Sequence, residues 1–515
     1  MNEQLKLELQ EEIKHFAEQL HKFRNKELSV KDFKSLSCGF GSYAQRGADS
    51  FMIRLRMNQG VVSKQHLKFV IDTCNKYNIS DIKFTTGQNI QFHNLTGDEI
   101  PSIMLEALEE GIICRGSGGD FPRNVMASPL SGVNPEETFD VLPYAHELTE
   151  YLLAQVNKYS LPRKIKSSFC NTKENETHAT FRDLGFVANE DHTFDVYIAG
   201  GLGNQPKMGV KVGDHVPCED ILYYASTMVL FFMEHGNYVN RTKARSRFIQ
   251  ETLGVEGLIS AFKERLEQTK RSENLKIHVQ EPIIIKTGEG TISHPRAIAQ
   301  KQKGLYAVYY HPICASITLE KLKEISTLIE PMQDVELRIT PQQGCYIINL
   351  TAQEAKQILD ITDDGAKTIF DHSVSCVGAK RCQIGMRDSH GTLEKVINYI
   401  REKGYTDGVL PRIYISGCTS SCGTNQIGHI GLQGTVKVLD KKPYPAYFLS
   451  FHGEHLFNKE RFGEVIGVLL EEDACAFFDA IAQRVSVHNM TYEQWLETHK
   501  EELEEVIATY VKPLK

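Results

Sequence analysis

Thr85-Thr86-Gly87-Gln88-Asn89-Ile90-Gln91-Phe92-His93-Asn94-Leu95-Thr96 returns further along the chain as Thr340-Pro341-Gln342-Gln343-Gly344-Cys345-Tyr346-Ile347-Ile348-Asn349-Leu350-Thr351, at a constant offset of 255 residues. Working outward, the whole stretch from Ala44 to Thr96 aligns without a gap onto Ala299 to Thr351. Nine positions are identical (Ala44, Gln45, Leu67, Lys68, Thr85, Gln88, Asn94, Leu95 and Thr96 with their partners), where average composition gives about 3 by chance. The apolar pattern tracks throughout, so duplication is the origin. Each copy reads as strand, helix, strand, helix. Ser50 to Met57 is rich in β-formers, Lys64 to Tyr77 has helical apolar spacing behind a Ser63 cap, Ile82 to His93 alternates as a strand, and Asp98 to Glu110 turns helical. Further on, Leu161-Pro162-Arg163-Lys164 matches Leu410-Pro411-Arg412-Ile413, and Asp183-Leu184-Gly185-Phe186 matches His429-Ile430-Gly431-Leu432. The expectation is an internally duplicated α+β fold, two halves about a pseudo-twofold axis with a cofactor between them.

Length and composition set the bounds. A chain of 515 residues exceeds one ordinary core. With 41% hydrophobic and 24% charged residues it is ordinary globular material. No run of 18 apolar residues occurs, and Met1 to Lys34 is charged and helix-patterned, with Leu5, Leu9, Ile13, Phe16, Leu20 and Phe23 on one side. These features predict a cytoplasmic protein with no membrane contact. A C-terminal helix is expected around Tyr492 to Tyr510, and the charged run Glu267 to Lys276 reads as a surface connection between the halves. The net charge of -8 argues against a general nucleic-acid binder.

Two cysteine pairs carry chemistry. Cys376 and Cys382 are spaced C-x5-C, and Cys418 and Cys422 are spaced C-x3-C inside Ser416-Gly417-Cys418-Thr419-Ser420-Ser421-Cys422-Gly423. Twelve cysteines in a reducing compartment are thiols or metal ligands rather than disulfides, and the other eight (Cys38, Cys74, Cys114, Cys170, Cys218, Cys314, Cys345 and Cys475) read mostly as core packing. The paired spacings suit an iron-sulfur cluster best and fit zinc ribbons and redox dithiols poorly, with structural zinc and unligated cysteines as the alternatives.

The pairs belong to the second copy alone, whereas the first carries cations. By the repeat offset Arg54 stands opposite Tyr309 and Arg123 opposite Gly378. Arg123 lies in the turn-rich Gly118-Gly119-Asp120-Phe121-Pro122-Arg123-Asn124, and Lys164 and Lys166 project from one face at strand spacing. The bland reading of that lysine pair is a solvated edge strand.

Taken together, Tyr43 to Arg46, Phe51 to Arg56, Thr85 to His93, the Arg123 loop, Leu161 to Lys166, Gly200-Gly201-Leu202, Asn240 to Arg245 and both cysteine pairs resemble the siroheme-dependent nitrite and sulfite reductases over most of the chain. The resemblance implies an N-terminal helical extension over 1–40, ferredoxin-like half-domains over 41–112 and 286–362, and siroheme-binding domains over 113–285 and 363–515, the last bearing the cluster. It implies a [4Fe-4S] cluster on Cys376, Cys382, Cys418 and Cys422, with the Cys422 sulfur also ligating siroheme iron, and Arg54, Arg123, Lys164 and Lys166 as the anion-binding and proton-donating set. Arg46, Arg56 and Lys207 are candidates for siroheme carboxylates, with Gln88 and His93 as further cofactor contacts. Many relatives have arginine where Gly87 stands, so Lys83 is expected to substitute.

The expected activity is six-electron reduction of sulfite, with nitrite as the alternative. Lys164-x-Lys166 resembles sulfite-reducing members, while Cys376 to Gly385 resembles pyridine-nucleotide nitrite reductases. Since Gly200-Gly201-Leu202-Gly203 lacks the third glycine of a dinucleotide fingerprint, electrons are expected from a separate ferredoxin or flavoprotein. A zinc-containing nucleic-acid binder is the remote alternative, prompted by Arg241, Lys243, Arg245 and Arg247 and expected to place them around a helix.

Overall fold

The computed structural model describes residues 3–514, and the duplication organises it. Each repeat builds an antiparallel sheet. In the first, Tyr43–Ala44, Phe51–Leu55, Ile90–Leu95 and Ile82–Phe84 lie side by side, and in the second Ala297–Ala299, Leu305–Tyr310, Cys345–Thr351 and Glu336–Ile339 do the same. Helices Lys64–Lys76 and Leu319–Ile329 start at equivalent caps, where the Ser63 and Thr318 hydroxyls accept from the third backbone N–H beyond.

The fifth strand of each sheet comes from the other copy. Val61–Val62 pairs with Leu337–Arg338, and Ser316–Ile317 pairs with Ile82–Lys83, the same register at the repeat offset. Gln88 Nε2 donates to the Ile339 carbonyl at 2.9 Å, and Gln343 Nε2 donates to its counterpart, the Phe84 carbonyl, at 3.2 Å. Within each copy the Gln45 and Asn94 amides bind each other, as do Gln300 and Asn349. Among the shared identities Gln45, Gln88, Gln300, Gln343 and Asn349 are buried amides whose partners are fixed by the fold.

Ile82 to His93 is a hairpin rather than one strand. Thr85 Oγ1 accepts from the Gly87 and Asn89 N–H groups, and Asn89 Nδ2 donates to the Gly87 carbonyl, closing a turn in which Gln88 takes φ +55°.

Each half continues into a second sheet. Ser167–Cys170, Leu184–Ala188, Thr193–Ile198 and Val210–Pro217 form one, and Val374–Ser375, Ile413–Ser416, Ile430–Leu439, Lys442–Phe451, Glu464–Leu470 and Val511–Lys512 the other. Ser167 pairs with Leu184 as Ile413 pairs with Ile430, so the halves correspond here at an offset of 246. Lys166 is therefore the counterpart of Arg412, and the expected match of Leu161-Pro162-Arg163 with Leu410-Pro411-Arg412 is displaced by three residues. Gln88 Oε1 accepts from Ala127 N and Gln343 Oε1 from Ser375 N, which sets Arg123 opposite Asp371 instead of Gly378. Insertions between the matched stretches, invisible in composition, cause both shifts.

The Glu3–Arg24 helix buries the six apolar residues read from its pattern. Two expectations need correction. Glu267 to Ser272 is the end of the helix Ile249–Ser272, and the connection follows as an extended strap from Glu273. The C-terminal helix is two, Tyr492–Thr498 and Lys500–Tyr510. They break at His499, where Thr498 Oγ1 turns back to the Gln494 carbonyl, so that Trp495 and Leu503 both reach the core. Among the described residues no helix is long and apolar enough to cross a membrane.

Candidate active site

The four paired cysteines lie in two loops tied to each other. Cys376 N donates to the Ile415 carbonyl, Met386 N and Arg387 N donate to the Gly417 carbonyl, and Gly417 N reaches Cys376 Sγ at 3.2 Å. A side chain at Gly417 would meet the Arg387 carbonyl at 2.5 Å, so only glycine allows this approach. Of the twelve cysteines, seven are buried; Cys376, Cys382 and Cys418 are partly exposed, Cys422 is exposed, and Cys38, also partly exposed, departs from the core reading.

Burial, then the neighbouring Cys422 thiolate, pushes the Cys376 thiol up to about 11, and Cys382 rises for the same first reason with Cys422 and Cys418 nearby. Cys376 and Cys382 therefore resist ionising until a cation neutralises them. Tetrahedral zinc needs sulfurs about 3.8 Å apart, yet among the described residues no three of these sulfurs come within 4.8 Å of one another. The looser spread suits the larger iron-sulfur cube.

The first half presents its cations to this loop. Lys164 and Lys166 flank buried Ile165, and neither ammonium has an ion-pair partner among the described residues. Burial, then Arg123, pulls Lys164 well below the usual ammonium range, and burial, then Arg182, brings Lys166 to about 7. The Cys422 charge opposes both shifts. Arg54 Nη1 and Arg123 Nη1 converge on the Ser117 carbonyl at 2.5 and 3.1 Å, and Arg123 Nη2 holds the Gly119 carbonyl at 2.6 Å. With the Gln91 amide turned oxygen-first, it accepts from Arg54 Nε and Nη2 at 2.8 and 2.6 Å. Thr86 Oγ1 donates to the Cys422 carbonyl at 2.9 Å, bringing the hairpin turn onto the cysteine loop.

Other expected residues have different employment. Arg46 Nη2 reaches the Cys382, Gln383 and Gly385 carbonyls, and its N–H donates to Arg381 O, so it clamps the first cysteine loop. Arg56 is buried and donates to the Arg115, Pro122 and Arg123 carbonyls from behind the Arg123 loop. Lys83, expected to substitute for an arginine at Gly87, is tied to the other half. Its ammonium bonds Ser316 and, at 2.6 Å, His390, and burial lowers it to about 8. Gln88 is fully buried and its amide serves backbone groups only. His93, held near 3 by burial, sits by Asp81, Arg381 and Arg54. Lys207 is partly exposed, 3.9 Å from Glu251, in the 201–207 loop that Gln426 binds through Gly203.

Sequence reading missed Arg245 and Asp183. Arg241 to Arg247 form two short turns rather than a helix: Arg241 pairs with Asp120, Lys243 with Glu251, and Arg247 with the Asn204 and Gln205 carbonyls. Arg245 pairs with the buried Asp183 at 2.7 Å, and the same carboxylate accepts from Lys166 N at 2.9 Å. The sequence signal was there in Asn240 to Arg245, but not the turn that aims it. Arg123, Arg245 and Arg56 Nε and Arg247 Nη1 are buried without hydrogen-bond partners. Gly200-Gly201-Leu202-Gly203 lies between strands, not at a strand-to-helix turn, so the dinucleotide reading falls away.

Comparison with known proteins agrees with this geometry. The family model described as nitrite and sulphite reductase 4Fe-4S domain matches residues 118–270, and that described as nitrite/sulfite reductase ferredoxin-like half domain matches 43–110 and 298–364. A chloroplastic ferredoxin–nitrite reductase of Arabidopsis thaliana is 26% identical over 75% of this chain and 67% of its own length. A sulfite reductase [ferredoxin] of Mycolicibacterium paratuberculosis is 24% identical over 75% and 70%. An assimilatory ferredoxin-dependent nitrite reductase of Haloferax mediterranei is 24% identical over 92% and 86%. The structure of the Mycobacterium tuberculosis NirA protein shares the fold, with a TM-score of 0.76, 21% identity and 92% of each chain covered. The duplicated sheets, the cysteine loops and these matches lead to one conclusion: the chain belongs to the siroheme-dependent nitrite and sulfite reductase family, whose cofactors are a [4Fe-4S] cluster and siroheme.

Proposed function

We propose that the chain reduces a small inorganic oxyanion by six electrons, sulfite to sulfide in the first place, with nitrite to ammonium as the second reading. The observation that carries this is the contact of the first-half hairpin turn with the second-half cysteine loop, Thr86 Oγ1 donating to the Cys422 carbonyl at 2.9 Å, with Arg54 and Arg123 gathered on the Ser117 carbonyl and the Cys422 charge felt at Lys164 and Lys166. Cys376, Cys382, Cys418 and Cys422 would hold the cluster, and Cys422 would be shared with the siroheme iron. When bound, the two cofactors supply electrons singly and an iron face for the anion.

The chain's own residues bind and protonate. Arg54 and Arg123, anchored on one carbonyl, keep N–H groups for the oxyanion, and Arg56 braces their loop from behind. Lys166 at about 7 is an acid matched to neutral pH, and Asp183 fixes its backbone while orienting Arg245. The external electron donor is a ferredoxin or flavoprotein; the ferredoxin-dependent relatives support the former.

Sulfite carries more negative charge than nitrite near neutral pH, so a second ammonium stabilises it more. Nitrite is favoured by the Haloferax relative, which spans most of this chain. Anaerobic turnover of both anions with a reduced artificial donor tests the choice: wild-type protein should prefer sulfite, and Lys166→Asn should lower the sulfite-to-nitrite ratio. An unchanged ratio contradicts the electrostatic argument.

A further inference from the structure

The duplication sets a second cluster of side chains at the positions that answer the active site residue for residue. Loops 171–183 and 417–429 are equal in length, and both carry left-handed residues at matching places, Asn175 and Ser421, then His178 and Thr424, before the short turns Ala179–Phe181 and Asn425–Ile427. Glu176 is therefore the counterpart of Cys422. By the same registers Arg412 stands for Lys166, Tyr309 for Arg54, Tyr346 for Gln91 and His311 for Arg56.

Five side chains of this cluster are enclosed but not fully covered. Tyr309, Tyr346, His372, Glu176 and Arg412 all keep some solvent-accessible surface; burial dominates the ionisation of the first four, whereas at Arg412 Tyr414, Tyr309 and Tyr346 together outweigh it and raise the guanidinium. The Tyr309 and Tyr346 rings lie 4.7 Å apart, and His372 is 5.4 Å from Tyr309. Arg412 makes no ion pair among the described residues and its Nε has no hydrogen-bond partner. His311, 1% exposed, donates from Nε2 to the Gln342 carbonyl at 2.9 Å and leaves Nδ1 unpartnered.

Its chemistry excludes a copy of the first centre. Ser128 and Thr172 stand where Cys376 and Cys418 stand, so no cluster can form. Lys164 has become Leu410, and Arg123 has become Asp371, which is paired with Arg401 at 3.1 Å. One guanidinium with phenol hydroxyls beside it suits one small anion and not a macrocycle bearing many carboxylates. We infer that this cluster is a second, non-catalytic site for a small tetrahedral or pyramidal oxyanion, held by Arg412 and the Tyr309 hydroxyl.

Burial, then Glu174, pushes the Glu176 carboxyl up to about 7 against the pull of Arg412. Protonated, Glu176 donates a hydrogen bond to the anion; ionised, it repels it. Tyr309 and Tyr346 stay protonated, and His311 and His372, held by burial near 3 and 4, stay neutral, so Glu176 sets the pH dependence. Binding should tighten as pH falls through about 7.

The test is equilibrium dialysis of radiolabelled inorganic phosphate against the oxidised holoprotein at pH 6, and it does not depend on which anion is reduced. One bound equivalent should survive Lys166→Asn, weaken at least about tenfold in Arg412→Ala and less in Tyr309→Phe, with reductase turnover and visible spectrum unchanged in the last two. Glu176→Gln should keep that equivalent and remove its pH dependence. Absence of phosphate binding in the wild-type protein, or binding insensitive to both Arg412→Ala and Tyr309→Phe, overturns the inference.

Discussion

Lys166 joins burial, charge and catalysis in one ammonium. Desolvation and neighbouring guanidinium groups hold it at about 7 while Cys422 pulls it back up. As the acid form is the one populated below that value, turnover of either anion should fall as pH rises through about 7, and Lys166→Asn should flatten that limb of the profile. Stability moves the other way. A lysine in the unfolded chain titrates near 10.4, so between about 7 and 10 the unfolded state binds the extra proton, and this group's contribution to stability rises with pH. Urea unfolding of wild-type and Lys166→Asn protein at the two ends of that window would show whether the rise belongs to this residue.

Among elements, the hairpin turn Thr85–Asn89 and the loop 376–387 give two expected cofactor contacts, Gln88 and Arg46, structural bonds as well. Gln88 reads as a cofactor contact because it sits among such residues in sequence, yet its amide crosses between the copies to Ile339 and holds Ala127. Gln88→Ala leaves buried backbone groups unpaired and should cost about 2–4 kcal/mol in denaturant unfolding, with Gln343→Ala costing a similar amount. Unchanged stability with a lost visible band would restore the cofactor assignment. Arg46 is a second case. Its three carbonyl contacts, with the Arg381–Asp81 pair at 2.6 Å, clasp the loop bearing Cys382 to the first sheet. Arg46→Ala should reduce acid-labile sulfide per folded chain while circular dichroism stays unchanged; full sulfide content would show the clasp dispensable. Helices and strands were legible because apolar period and caps are local. The clasp was not, since a guanidinium looks the same in sequence whether it meets a carboxylate or a row of carbonyls.

For the whole molecule, the repeat at an offset of 255 was legible because buried amides such as Gln88 and Gln343 make equivalent bonds in the two copies and so stand as identities. The change to offsets of 248 and 246 beyond it was not, and it moves the counterpart of Arg123 from Gly378 to Asp371 and pairs Lys166 with Arg412. Reciprocal exchange of Val61–Val62 and Ser316–Ile317 stitches the two sheets together, so neither half closes its sheet alone. The central claim is that the two halves meet to hold a cluster and a macrocycle through one shared sulfur. Its most direct measurement is metal, sulfide and visible absorption on anaerobically purified protein from cells able to make both cofactors, alongside Cys422→Ser. The account predicts about five iron and four sulfide per chain, with siroheme absorption that the variant lacks. Stoichiometric zinc without iron, or an unaltered visible spectrum in the variant, would contradict it.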